Sequence, residues 1–122
     1  LGLYPRERLA QVDALLGSEW LAHEKCRDPV ILCGDFNALP SSAVCRRLRG
    51  RLKDVQATRQ QYRTKSTYPG RFPRVRIDHI FITPSLAVID IETPTSELTR
   101  VASDHLPLIC DFAINGKASA AA

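Results

Sequence analysis

Apolar residues at Leu9, Val12, Leu16 and Trp20 recur at three- and four-residue spacing, and Pro5 suits a first helical turn, so the chain predicts an amphipathic helix from Pro5 to Lys25. Arg27-Asp28-Pro29 ends it. Val30 to Cys33 is short and uniformly apolar, the pattern of a buried strand. The run stops at Gly34 and presents Asp35 and Asn37, which share one side of an extended chain while Phe36 takes the other. Pro40-Ser41-Ser42 supplies a turn and an N-cap for a short helix through Leu48, closed by Gly50. Leu52, Val55 and Ala57 suggest one more helical turn, followed by a polar, surface-lying loop to Arg74.

Arg76 to Thr83 reads as a strand stopped by Pro84, and Leu86 to Thr93 as a second, alternating strand, with a hairpin through Pro84-Ser85 as the simplest link. Leu106 to Ile114 forms the last strand, with Pro107 near its start or at a sheet edge. Asn115 to Ala122 reads as a flexible tail. A helix feeding a buried strand argues for an α/β layer arrangement, in one domain over residues 1–114.

Composition narrows this picture. With 44% hydrophobic and 25% charged residues the 122-residue chain is globular in type, and no apolar run approaches the length of a membrane-spanning helix. It begins at Leu1 and contains no methionine, which reads as a piece of a longer chain whose targeting signals would lie upstream. Four cysteines without CxxC spacing fit core thiols in a reducing, cytoplasmic setting; Cys33 and Cys110 fall inside apolar strands and are expected buried. Between Arg46 and Arg76 stand eleven cations against one acid, Asp54, a density of one sign that favours an anionic partner over a merely solvated face.

The polar residues at the strand ends supply candidate chemistry. Asp35, Asn37 and Asp104 are hard oxygen donors of the kind that hold Mg²⁺ through one or two carboxylates and waters. His105 adds an imidazole that titrates near neutrality, with Asp78 to orient it. Ser103, Asp104 and His105 have the residue types of a serine hydrolase, but consecutive side chains cannot form the relay of a triad, and no Gly-x-Ser-x-Gly elbow is present. No P-loop or dinucleotide fingerprint occurs either. His79, next to Asp78 on a strand, should face the opposite way and be structural.

Gly34-Asp35-Phe36-Asn37, Arg76-Ile77-Asp78-His79-Ile80-Phe81 and Ser103-Asp104-His105-Leu106-Pro107, in this order, resemble the C-terminal signature set of the endonuclease/exonuclease/phosphatase superfamily. Arg8 and Gln11 match the Arg-x-x-Gln that opens the preceding helix in many bacterial members. The resemblance implies half of a four-layer α/β-β-α sandwich, a mixed or antiparallel sheet with flanking helices.

The resemblance also implies a phosphoester hydrolase that uses Mg²⁺ or Mn²⁺. Asp35 would orient or deprotonate water, and Asn37 would help hold the phosphate and that aspartate. His105 would contact the scissile phosphate with Asp78 as its partner, and Asp104 would bind metal. The family's other asparagine, its glutamate ligand and a histidine expected just before Leu1 are not in the chain, so the ligand set is incomplete and the segment is expected to be inactive alone. Its exposed sheet face would be covered by the missing half, a second copy or another partner. Arg71 and Arg74, in the cation- and aromatic-bearing loop Thr67 to Arg74, are the expected substrate contacts. Phosphodiester cleavage of nucleic acid is the first reading. A phosphatase or a lipid or inositol phosphodiesterase comes next, and a non-catalytic anion-binding module is the rival from another class.

Overall fold

The computed structural model describes residues 1–58 and 64–114. Its first helix, α1 (Pro5–Leu16), has proline in the first turn, where a missing N–H costs nothing, and Gly17 directly past its end. The expected continuation to Lys25 does not form. Gly17 breaks the helix and turns carry the chain to Cys26, leaving Trp20 62% exposed instead of on the core face.

Strand β1 (Ile31–Asp35) follows, then α2 (Ala43–Arg49), capped as predicted by the Ser42 hydroxyl, which accepts the Cys45 N–H, and closed at Gly50. Strands β2 (Lys53–Asp54) and β3 (Asp78–Ile82) complete a three-stranded antiparallel sheet of order β1-β3-β2. The expected helical turn near Ala57 is a single 3-10 turn, Val55–Ala57. The expectation that this region lies wholly at the surface fails at its start. Leu52, Asp54, Val55 and Gln56 are buried, because Asp54 receives the guanidinium of Arg76 and the Gln56 N–H inside the fold.

Side-chain alternation on β3 divides the core. Phe81 points to the helices and packs with Phe36, Val12, Val44 and Leu48, while Ile80 and Ile82 point the other way, into a cluster with Val55, Leu86, Ile91 and Phe112. That second cluster belongs to a separate antiparallel pair, β4 (Leu86–Glu92) and β5 (Ile109–Ile114). The predicted hairpin between the third and fourth strands is therefore absent. Both edges of β3 are already taken by β1 and β2, so Pro84-Ser85 carries the chain to the other sheet. A bulge between Val88 and Asp90 resets the alternation of β4 and leaves Ile89 44% exposed. The last strand starts at Ile109, after Pro107, which cannot donate to a ladder.

One helix was not legible: α3 (Glu97–Ala102), opened by a reciprocal cap in which Ser96 Oγ accepts the Thr99 N–H and Thr99 Oγ1 accepts the Ser96 N–H. Its apolar residues Leu98 and Val101 are exposed, so no core-facing period betrays it.

The helix, sheet and sheet layers leave an apolar face open. Ile31 on β1 and Ile109 and Ile114 on β5 are each more than 40% exposed, and Cys33, expected in the core, is an exposed thiol lining an open depression with Ile80, Leu106 and Leu108. Cys45 is the buried cysteine, Cys26 and Cys110 are half-buried, and all four are free thiols. No helix among the described residues is long and apolar enough to cross a membrane. The expected tail, residues 115–122, lies outside the described residues.

Candidate active site

Register puts the site together. Asp35 is the last residue of β1 and Asp78 the first of β3, and the ladder places them directly opposite one another on the same face. Gly34, with a φ of 153° that strains any L side chain, comes just before Asp35. Beyond Asp35 the chain turns instead of extending. The Asp35 carboxylate accepts the Asn37 N–H at 2.8 Å, Asn37 adopts a φ of 47°, and its amide donates to the Leu1 carbonyl at 2.7 Å. The Leu1 amino group in turn donates to the Asp35 carbonyl at 2.7 Å. Asn37 thus reaches the site through a turn and not through the strand alternation expected for it.

His105 closes the constellation from a distant segment. Its Nδ1 lies 2.7 Å from Asp78 Oδ2 and its Nε2 lies 3.8 Å from Asp35 Oδ2 and 4.0 Å from Asp104 Oδ1. Beside a carboxylate Nδ1 must donate, so Nε2 is the nitrogen left facing the gap between Asp35 and Asp104. The hydrogen bond to Asp78 raises the His105 pKa above its ordinary value, with the charges of Asp78, Asp35 and Asp104 adding to it against a smaller cost of burial. His105 is thus a hydrogen-bond donor and incipient cation at the rim of the sheet, suited to a tetrahedral anion.

Two residues of the expected substrate loop, given no role of their own by the sequence, hold this arrangement. Thr67, fully buried, donates its hydroxyl to Asp78 Oδ2 at 2.5 Å, and its carbonyl accepts the Leu106 N–H. The Tyr68 ring packs on the His105 imidazole with centroids 4.9 Å apart. Thr67 and Tyr68 open the loop of Thr67 to Arg74, and a buried threonine beside an exposed tyrosine carries no periodic signal. The loop itself docks on the site: the Gly70 N–H donates to the Asp104 carbonyl at 2.6 Å, and a Cβ at Gly70 would stand 3.0 Å from the Ser103 carbonyl. Ser103 Oγ accepts the His105 N–H and makes no bond to the His105 ring, in keeping with the exclusion of a triad.

His79 faces the helix side as expected. It is buried, donates Nε2 to the Ala38 carbonyl at 2.7 Å and packs against Phe36 and Phe81. Burial lowers its pKa, more than the Ala38 bond raises it.

The basic block divides. Arg76 is buried on Asp54; Arg47 pairs with Asp13 at 2.6 Å; Arg49 and Arg51 donate to the carbonyls of Pro40 and Leu21. These are structural. Arg71 and Arg74 lie in the docked loop near Asp104, while Arg59 and Arg63 fall outside the described residues.

Asp35, Asp78 and His105 bring one ligand atom each within 4.8 Å of one another, as a metal site would. Asp78 Oδ2 is already the acceptor for both Thr67 and His105, so it is spoken for. The carboxylates of Asp35 and Asp104 remain accessible, 39% and 80% exposed, and as hard oxygen donors they fit a Mg²⁺-type ion that keeps several waters. A larger depression of about 540 Å³, lined by Leu15, Trp20, Leu21, Val30 and Ile31, is mostly apolar and brings no such cluster together.

Comparison with known proteins shows the family. The family model described as the endonuclease/exonuclease/phosphatase family matches residues 1–105, and the chain belongs to that family. It is similar to the uncharacterised protein YbhP of Escherichia coli and of Shigella flexneri, 32% identical over 113 residues, covering 92% of this chain and 43% of each relative. Among solved structures, the human nocturnin catalytic domain with bound sulfate matches with TM-score 0.70 and 27% identity over 93% of this chain and 44% of its own. A functionally unknown protein from Enterococcus faecalis matches with TM-score 0.77 and 24% identity, covering 92% of this chain and 46% of that one. The chain spans less than half the length of the relatives it matches, and its fold is half of the family's layered sandwich.

Proposed function

We propose that these residues form one half of the active site of a divalent-metal-dependent phosphoester hydrolase, and that the reaction is cleavage of a phosphodiester. The observation that carries this reading is the convergence of Asp35, Asp78 and His105 at one end of the β1–β3 ladder. Asp35 takes a proton from the attacking water, whose oxygen forms the new bond to phosphorus as the bond to the leaving oxygen breaks. His105 donates from Nε2 to a phosphoryl oxygen, and Asp78, with Thr67 behind it, holds the imidazole in its donating tautomer. Asn37 fixes Asp35 through its own N–H. A Mg²⁺ or Mn²⁺ ion held by Asp104, with ligands from the rest of the protein, would neutralise charge on the phosphoryl group.

On this reading residues 1–122 are inactive alone, and the open face of Ile31 and Cys33 is covered in the whole protein by the remaining half of the domain or by a second copy. The free thiols suit a reducing, cytoplasmic setting. Arginines beyond the scissile position favour a diester or polyphosphorylated substrate over a simple monoester, the second reading.

The test is Mg²⁺-dependent hydrolysis of a generic phosphodiester by the whole protein. Asp35→Ala and His105→Ala should each slow it by roughly 10²- to 10⁴-fold. Equal rates in all three would end the catalytic reading in favour of an anion-binding module.

A further inference from the structure

Among the described residues, the side chains of Arg8, Arg27, Arg47, Arg49, Arg51 and Arg76 bond to carbonyls or carboxylates of the fold. Arg6, Arg46, Arg71, Arg74 and Arg100 have no such partner. Three of those five line a single groove between the loop of residues 69–74 and α3, a segment outside the basic block of the sequence. Unneutralised guanidiniums gathered in one concavity repel one another, and an anion there relieves the repulsion.

The same groove displays an aromatic ring. Phe72 is 72% exposed, although its loop is closed by a Tyr68–Val75 bridge and by the Phe72 N–H on the Pro69 carbonyl, so the ring is held outward by an ordered backbone. With Arg71, Arg100, Val101 and Glu97 it lines a cavity of about 430 Å³. A second depression, of about 300 Å³, contains Arg71, Arg100 and Asp104, so the groove runs on into the site.

We propose that this groove is a nucleotide subsite of the hydrolase, and that the substrate is single-stranded nucleic acid. It rests on the phosphodiester reading above and names the substrate class. A base stacks on Phe72, with Val101 as the apolar wall. Arg71, Arg74 and Arg100 bind phosphates flanking the scissile one, and Glu97, an acceptor without a partner among the described residues, takes an N–H of the base edge. An acidic lipid surface suits the groove less well: Glu97 lies among the cations, where a plane of anionic headgroups would be repelled, and a flat surface does not enter a concavity.

Binding of a fluorescein-labelled single-stranded DNA 8-mer to the whole protein, followed by anisotropy in EDTA across a salt series, tests this without turnover. Wild type should bind with an affinity that falls as salt rises. Arg100→Ala should weaken binding and lower the salt slope by about one. Phe72→Ala should weaken it by roughly 5- to 150-fold, the value of one stacked base, and Phe72→Trp should retain it. An abasic 8-mer, with phosphates but no bases, should not distinguish Phe72→Ala from wild type.

Unchanged binding in both alanine variants overturns the subsite, as does an equal loss for the intact and abasic strands in Phe72→Ala. Uptake on phosphatidylserine vesicles without oligonucleotide binding also overturns it, in favour of a lipid surface. A protein that binds the 8-mer and hydrolyses no phosphoester overturns the catalytic reading alone. One that hydrolyses phosphoester and does not bind the 8-mer overturns the subsite alone.

Discussion

Asp35 and Asp78 face each other across the β1–β3 ladder with the His105 ring between them, 2.7 Å from Asp78 and 3.8 Å from Asp35. Two carboxylates directly opposed repel, and a cation between them turns the repulsion into a clamp. The raised pKa of His105 expresses the same coupling. Groups that act as a unit lose their function together, so Asp78→Asn, His105→Ala and the double variant should all fall to similar kcat/KM on a phosphodiester. Multiplying losses in the double variant would mean that Asp78 does something other than position His105.

Thr67 acts one step behind. Thr67→Val removes a hydroxyl bonded to the Asp78 carboxylate, an interaction of about 1.5 to 3 kcal/mol, and should cut kcat about tenfold or more while KM changes little. Thr67→Ser should restore most of the rate. A rise in KM with unchanged kcat would place Thr67 in substrate binding instead.

Asp54 and Arg76 form an ion pair beneath the sheet, with side chains 3% and 10% exposed. Removing one partner leaves a buried charge, so Asp54→Asn or Arg76→Met alone should destabilise by about 3 to 5 kcal/mol in urea unfolding. Replacing both with apolar residues should cost less than either single change.

His79 predicts a pH dependence. Burial holds its folded pKa below the ordinary 6.5, against the Ala38 bond and the charges of Asp54 and Asp78, with Arg76 acting in the same sense as burial. The unfolded chain therefore takes up the proton more readily. The stability gained from a neutral ring is complete above about pH 6.5 and is lost as pH falls toward the lowered value. His105, whose pKa is raised, works in the opposite sense, but it is present in both proteins compared. The urea midpoint of wild type minus that of His79→Phe, measured in metal-free buffer, should increase from pH 5 to 7.5. A flat difference would contradict the buried neutral imidazole.

The open sheet face can be read through its cysteine. In residues 1–122 alone, Cys33 should react with a thiol reagent far faster than buried Cys45, and in the whole protein it should be protected. Equal reactivity of Cys33 in both would show that nothing covers the face.

Local chemistry made much of this legible. Ser42 and Gly50 bounded α2 correctly, and Asp35, Asp78 and His105, which the fold brings together, stood out because polar residues abut apolar strands. What escaped was set by long-range geometry. No pattern along the chain shows that β3 has both edges filled, and this moved the partner of β4 from β3 to β5. Gly17 outweighed the helical spacing that reached Trp20. Arg100 stood alone in sequence, and only the docking of Gly70 against Asp104 brought it beside Arg71.

The bonds that tie Leu1 to Asp35 and Asn37 have a practical corollary. Any residue joined ahead of Leu1 emerges within one peptide unit of Asp35. Where the whole protein continues ahead of Leu1, that segment borders the mouth of the site, and its first residues are the ones to substitute when the walls of the site are mapped.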